Sequence, residues 1–152
     1  MQLTAHTDYA LRVLIYLNVN NEKLVTITEL ADFFGISRNH LVKVVHKLGV
    51  KGFIQTVRGK GGGIRLSRPG REISIGSVVR EVEGRFQMAE CFNPKKQGLC
   101  PLEYGCGLTG LLGRAIEQFL QTLDKAALSD ISVPAMSAKS AAGLAESGRD
   151  PR

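Results

Sequence analysis

The chain has 152 residues, 43% of them hydrophobic, no tryptophan and a formal net charge of +6. That length suits one compact domain with an added element rather than two independent cores, and no stretch approaches the roughly 20 consecutive apolar residues of a membrane span. The opening Met1–Asp8 lacks a basic segment followed by an apolar one, so no export signal is expected, and a cytoplasmic, thiol-reducing location is.

From Leu3 to Leu17, apolar residues at Tyr9, Ala10, Val13, Leu14, Tyr16 and Leu17 recur at helical spacing, with Thr4 placed to cap the N-terminus. Polar Asn18–Lys23 breaks the pattern. Thr26 and Glu29 are spaced as a capping box for a second helix, Glu29–Phe34, which stops at Gly35. Ser37 caps a third, Arg38–Leu48, whose Leu41, Val44, Val45 and Leu48 fall at i, i+3, i+4 and i+7, with Gly49 as the expected stop. Two helices joined by a short glycine-containing turn form a helix-turn-helix, the geometry that presents the second helix to the DNA major groove. Burying that apolar stripe leaves Arg38, Asn39, His40, Lys43, His46 and Lys47 mostly outside. Arginine suits guanine O6/N7, asparagine suits adenine N6/N7, and lysines reach phosphates.

Phe53–Val57 and Ile64–Leu66 alternate apolar and polar residues around the tip Arg58–Gly63, a β-hairpin with a glycine-rich loop. This is the wing of a winged helix, with Arg58 and Lys60 available to phosphates or the minor groove. A nucleotide-cradling loop would need a Gly-Lys-Ser/Thr helix start where a strand follows here. Charge concentrates on the same elements. Residues 1 to 86 hold thirteen Lys/Arg against seven Asp/Glu, whereas residues 87 to 152 balance, and Ser37 to Arg71 contains nine basic residues and no acid. An acid-free window of that length is a polyanion-binding footprint rather than an ordinary solvated face. The expected DNA-contacting residues are Thr28, Ser37, Arg38, Asn39, His40, Lys43, Lys47, Arg58 and Lys60.

Ser74 opens a helix over Ile75–Val82 that ends at Gly84. After the cysteine segment, Leu108–Leu128 resumes an amphipathic pattern through Leu108, Leu111, Leu112, Ala115, Phe119, Thr122, Leu123 and Ala126. A winged helix of about 80 residues is already closed, so this helix needs another partner for its apolar face, and a second copy of the chain supplies one most simply. The expected fold is therefore mainly α with a small β-hairpin wing. A winged helix-turn-helix spans 1–84, a cysteine loop 85–107, a dimerisation helix 108–128 and a disordered tail 129–152.

Cys91, Cys100 and Cys106 lie within sixteen residues, spaced Cys-x8-Cys-x5-Cys, in a loop rich in glycine and proline. Clustering of this kind argues for joint use, and an odd number in a reducing setting argues against a disulfide framework. Iron–sulfur, zinc and thiol-redox chemistry are all open to three thiolates. A closed zinc site usually shows tight Cys-x2–4-Cys pairs and four protein ligands, so iron is favoured. No histidine falls between residues 84 and 128, so a fourth ligand would come from Glu90 or Glu103 nearby, or from Asp8 or His6 on the first helix. An enzyme is not expected, since the chain has no Cys-x-x-Cys pair, no cofactor loop and no grouped acid, base and nucleophile.

Three motifs resemble the IscR-like iron–sulfur winged-helix repressor family, over about residues 1 to 130. They are Met1-Gln2-Leu3-Thr4 with Thr7-Asp8-Tyr9-Ala10-Leu11-Arg12; Ser37-Arg38-Asn39-His40-Leu41-Val42-Lys43 followed by Val57–Leu66; and the three-cysteine loop preceded by Ile75–Glu81. The likeness is greatest to the nitric-oxide-sensing members. It implies a homodimeric, DNA-binding repressor with one cluster per subunit, 4Fe-4S in preference to 2Fe-2S, held by Cys91, Cys100 and Cys106. Asp8 is implied as the fourth ligand, donated by the partner subunit. It further implies repression of nitric-oxide stress genes until the gas attacks the iron. The alternatives are a regulator sensing iron–sulfur or iron status, like the IscR and RirA branches, or a thiol-based redox regulator. IscR-type members use a histidine near the third cysteine, and this loop has none.

Overall fold

A computed structural model describes residues 2–84 and 86–132. Helices α1 (Ala5–Val19), α2 (Ile27–Phe34) and α3 (Arg38–Val50) precede the hairpin strands β1 (Ile54–Val57) and β2 (Gly63–Leu66). Helices α4 (Ile75–Glu83), α5 (Gly107–Asp124) and the short α6 (Leu128–Ile131) follow. Three 3-10 turns, Glu90–Phe92, Pro94–Lys96 and Glu103–Gly105, carry the chain from α4 to α5. The mainly helical winged helix-turn-helix expected from the sequence is the observed fold.

Side-chain caps set the helix starts where the sequence puts them. Thr4, Thr26, Ser37 and Ser74 accept from the backbone N–H groups of Thr7, Glu29, His40 and Ser77, and each satisfies a donor that helix geometry leaves orphaned. Gly35 closes α2 in the left-handed region at φ 63°, turning the chain into α3.

The end of α3 differs from expectation. The helix runs through Gly49 to Val50, and the stop is Gly52 at φ 74°. Phe53 N–H reaches the Leu48 carbonyl at 2.9 Å and Gly52 N–H reaches Gly49 at 3.0 Å. These are the paired bonds of a Schellman cap, with buried Phe53 as its apolar partner for Leu48. Gly49 lacks a reason to end the helix, because its φ is ordinary.

Helix α1 is the centre of the core. Ala10, Val13, Leu14, Tyr16 and Leu17 are buried against α3, α4, β2 and α6, and Leu41, Val44, Val45 and Leu48 fill the opposing stripe. The Tyr16 hydroxyl donates to Glu29 at 2.7 Å, and Lys23 donates to the same oxygen. Burial and the Glu29 bond push the Tyr16 pKa well above its usual value. At Glu29 burial works against ionisation, but the bonds from Lys23, Tyr16 and the Thr26 backbone outweigh it and hold the carboxyl below its usual range.

Strands β1 and β2 pair antiparallel, Ile54 with Leu66 through Val57 with Gly63. Val25 adds an edge bridge to Ile64 through two backbone bonds of 2.8 and 3.0 Å. A side chain at Gly63 would stand 2.8 Å from the Val25 carbonyl, so only glycine permits this approach.

Helix α5 docks on its own domain over its second half. Ile116, Phe119, Leu120 and Leu123 pack on the core, and Arg80 pairs with Asp124 at 2.6 Å. The stripe read from sequence omitted Ile116 and Leu120 and included Ala115 and Thr122, which face solvent. The helix has two apolar faces, an inner one late and an outer one early, where Leu108 and Leu111 remain about half exposed at 56% and 55%. Beyond it, Leu128 is buried and its N–H reaches Ile73 at 2.8 Å, so ordered structure continues through Ser132. The rest of the expected tail lies outside the described residues.

The two glycines at the end of α3 should respond oppositely to alanine. Gly49→Ala places its Cβ 4.0 Å from the Ile54 side chain, an ordinary van der Waals contact, on an exposed helical position and is expected to stabilise by about 0.5–1 kcal/mol. Gly52→Ala forces an L-residue to positive φ and is expected to destabilise by about 1 kcal/mol. Urea unfolding midpoints measure both; a loss at Gly49 would return the helix stop to that residue.

Candidate nucleic-acid interface and cysteine loop

Arg38, Asn39, His40 and Lys43 are exposed along the outer side of α3, and Thr28 is exposed in the first turn of α2. Ser37 is exposed as well, with its hydroxyl occupied in capping α3. The His40 ring lies 6.3 Å from Tyr9 of α1, so the start of α3 rests beside the residue that follows Asp8. At the wing tip, Gly59 and Gly61 take φ of 99° and 78° and hold the turn that exposes Arg58 and Lys60. Positive side chains from two separate elements thus stand free of carboxylate partners on α3 and the wing tip, among the described residues.

Lys47 is placed differently from the other expected DNA contacts. It is half-buried, and its ammonium donates to the Val82 carbonyl in the last turn of α4 at 2.8 Å. One turn on, Lys51 pairs with Glu81 at 2.6 Å and holds that carboxyl below its usual range. The back of α3 and its C-cap are therefore fastened at two points to the end of α4.

The same end of α4 also grips α1. The Glu83 carboxylate accepts the Thr4 backbone N–H at 3.1 Å, the Thr4 hydroxyl at 3.1 Å and the hydroxyl of fully buried Thr7. A carboxylate at this position also meets the positive end of the α1 dipole. His6 lies in this neighbourhood, its pKa lowered by burial and by Lys47, against the opposing pull of Glu83. Sequence reasoning missed Glu83 and Thr7. A polar threonine on the buried stripe of α1 was the available signal.

The cysteine loop leaves from this junction at Gly84. Cys91 and Cys106 are half-buried and each has Thr109, at the start of α5, as a neighbour, the Thr109 hydroxyl donating to the Cys91 sulfur at 3.6 Å. The backbone N–H groups of Leu108 and Thr109 lower the Cys106 pKa, with a further contribution from the Thr109 side chain. Cys100 is exposed in the turn between them. Of the carboxylates weighed as a fourth ligand, Glu90 pairs with Lys96, and Glu103 accepts from the Gly98 backbone. Asp8 pairs with Arg12 at 2.9 Å and is about half exposed. The described residues bring no three His, Cys, Asp or Glu side chains close enough to hold a metal ion. The donor set itself, three soft thiols in one loop with one thiol poised to ionise, fits an iron–sulfur cluster or another thiophilic metal.

A family model described as "Rrf2: Iron-dependent Transcriptional regulator" matches residues 3–133. The HTH-type transcriptional regulator NsrR of Bacillus licheniformis is 46% identical over 132 residues, covering 86% of this chain and 92% of that protein. NsrR of Bacillus subtilis is 45% identical, with coverage of 86% and 90%. Among solved structures, Staphylococcus aureus CymR superposes with a TM-score of 0.65 at 23% identity, covering 85% of this chain and 96% of that one. T. potens IscR gives 0.68 at 19%, with coverage of 100% and 93%. The last two bear on the fold alone.

The carboxylates of Glu83 and Asp8 should differ sharply in importance for the metal-free fold. With a chelator present, Glu83→Ala is expected to destabilise by about 2 kcal/mol, because the buried Thr7 hydroxyl loses its acceptor. Asp8→Ala breaks an exposed ion pair and should change stability by less than about 0.5 kcal/mol. Urea unfolding separates them; equal losses would contradict the role given to Glu83.

Proposed function

The chain belongs to the Rrf2 family of transcriptional regulators, and on that premise we propose that it is an iron–sulfur-dependent repressor that senses nitric oxide. It acts as a homodimer on duplex DNA. The observation that carries this reading is the departure point of the cysteine loop. The loop leaves α4 one residue after Glu83, which grips α1, and two after the Val82 carbonyl, which holds the recognition helix through Lys47.

Arg38, Asn39, His40 and Lys43 read the major groove, with Thr28 and Ser37 at the helix N-termini and Arg58 and Lys60 on phosphates or the minor groove beside it. Lys47 serves from inside, setting the tilt of α3. The exposed Leu108 and Leu111 of α5 meet the same helix of a second copy, as a homodimer requires. The two recognition helices then address half-sites about one DNA turn apart.

Cys91, Cys100 and Cys106 hold the cluster, and Asp8 of the partner subunit completes the ligand set. When bound, the cluster supplies iron that nitric oxide attacks. These residues would join the cysteine loop to the start of the partner subunit's α1, and loss of that connection would free the α4 junction to shift the spacing of the recognition helices. The effector acts as a population shift, favouring the non-binding arrangement by a few kcal/mol. A second reading, a thiol-based redox regulator, is favoured by one observation, the lowered Cys106 pKa beside Cys91.

The test is anaerobic purification followed by iron and sulfide analysis, a visible spectrum and DNA mobility shifts during stepwise addition of nitric oxide. A brown chromophore that bleaches in parallel with loss of DNA binding, and that Cys91→Ser, Cys100→Ser and Cys106→Ser each abolish, is the expected result. A colourless protein after attempted cluster reconstitution would overturn it and leave the thiol reading.

A further inference from the structure

Strand alternation divides the wing into two faces. Ile54 and Ile64 are buried on the face toward α3, whereas Gln55 and Arg65, opposite each other in the ladder, point the other way. On that outer face an open groove of about 750 Å³ runs between the hairpin, Asn18 at the end of α1 with Asn21 just beyond it, and the Leu66–Arg71 connection. Arg65, Arg68 and Arg71 line it, and no Asp or Glu does.

The arginines are held in place without being neutralised. Arg65 donates to the Gln55 amide oxygen at 3.4 Å, and the Arg68 guanidinium lies 5.5 Å from the centroid of the Phe53 ring. Arg71 has a carboxylate within reach, Glu72 at 3.7 Å, in an exposed pair worth little against an incoming phosphate. The connection is seated firmly, since a side chain at Gly70 would stand 2.0 Å from the Asn18 amide oxygen. The groove therefore belongs to the folded scaffold.

We infer that this groove is a second phosphate-binding site, which takes the backbone of DNA flanking the recognition sequence. The inference rests on the reading of α3 and the wing tip as the primary DNA contacts. Two observations favour nucleic acid over an acidic protein segment. The basic side chains continue without an acid from Arg58 and Lys60 at the tip to Arg71. The lining is also more polar than apolar, with three guanidinium and three amide side chains beside Leu66 and Pro69, whereas the buried centre of a protein–protein interface is mostly apolar. Strand β2 has four residues, which at about 3.3 Å each sets the groove about 13 Å behind the tip, or about four base pairs along a duplex.

The test uses the full-length protein, purified without oxygen, and a duplex selected from a random pool and trimmed to its shortest bound length. The same duplex extended by about one helical turn of arbitrary sequence at each end is the second probe. For the wild type, extension should tighten binding and steepen the salt dependence by about 2 to 3 in log–log slope. Arg65→Gln/Arg68→Gln/Arg71→Gln should bind the short duplex as the wild type does and gain nothing from extension. Arg65→Gln/Arg71→Gln, which leaves the Arg68–Phe53 contact intact, should lose most of the gain, so that a folding defect in the triple variant does not decide the matter. No gain for the wild type, gain retained by the variants, or equal weakening of the double variant on both duplexes would overturn the site. Failure of the wild type to select any duplex would instead overturn the underlying DNA reading.

Discussion

The Glu83 carboxylate ends α4 inside the N-terminus of α1, where it receives one backbone N–H and two hydroxyls, one of them on fully buried Thr7. A charge placed there is stable because it has donors on several sides and faces the positive end of a helix. Within two residues of it, the Val82 carbonyl and the Glu81 carboxylate hold Lys47 of α3 and Lys51 at its C-cap. Three helices that sequence separates widely are thus fixed to one another at a single helix end. The position of the recognition helix depends on this junction as much as on its own apolar stripe, since burial of Leu41 and Val44 is non-directional while the lysine contacts define an orientation.

This arrangement gives a continuous physical connection from a thiol-bearing loop to the exposed basic face of α3. The loop begins at Gly84 and returns at Cys106 to start α5, whose second half packs back on α4. A side chain at Gly76 would stand 2.0 Å from Asp124 of α5, so the two helices cross at close range. A group held by the thiols would therefore bear on the loop's start at the end of α4 and on its return at the start of α5. On the far side, the exposed basic residues of α3 and the wing tip have no carboxylate partner among the described residues, the state in which phosphate contact releases the most counterions.

Much of the fold was legible in the sequence because it is written in local signals. The four N-cap residues, Gly35 and the hairpin glycines each act within a few positions, and the stripe of α3 is a simple period. Gly49 misled because a glycine in a helix and a glycine after one look alike; only the φ of Gly52 and the Phe53 bond to Leu48 distinguish them. The two apolar faces of α5 blurred into one stripe for a related reason, since periodicity does not say which partner each turn meets. Of the candidate site, the basic surface and the three thiols were visible as composition. Lys47 was not, because a lysine on a basic helix carries no mark of turning inward to a carbonyl. Glu83 and Thr7 meet across 76 residues, a separation at which pattern holds no information.

On the proposed function, the cysteine loop, the start of α1 and the end of α3 move as one unit through the α4 junction. Hydrogen exchange read by mass spectrometry, on anaerobically purified full-length protein before and after exposure to nitric oxide, tests it most directly. Peptides covering the loop, residues 79–84, the first turns of α1 and the last turn of α3 are expected to lose protection together, while the middle of α1 is unchanged. Faster exchange confined to the loop, or no change in the last turn of α3, would contradict it.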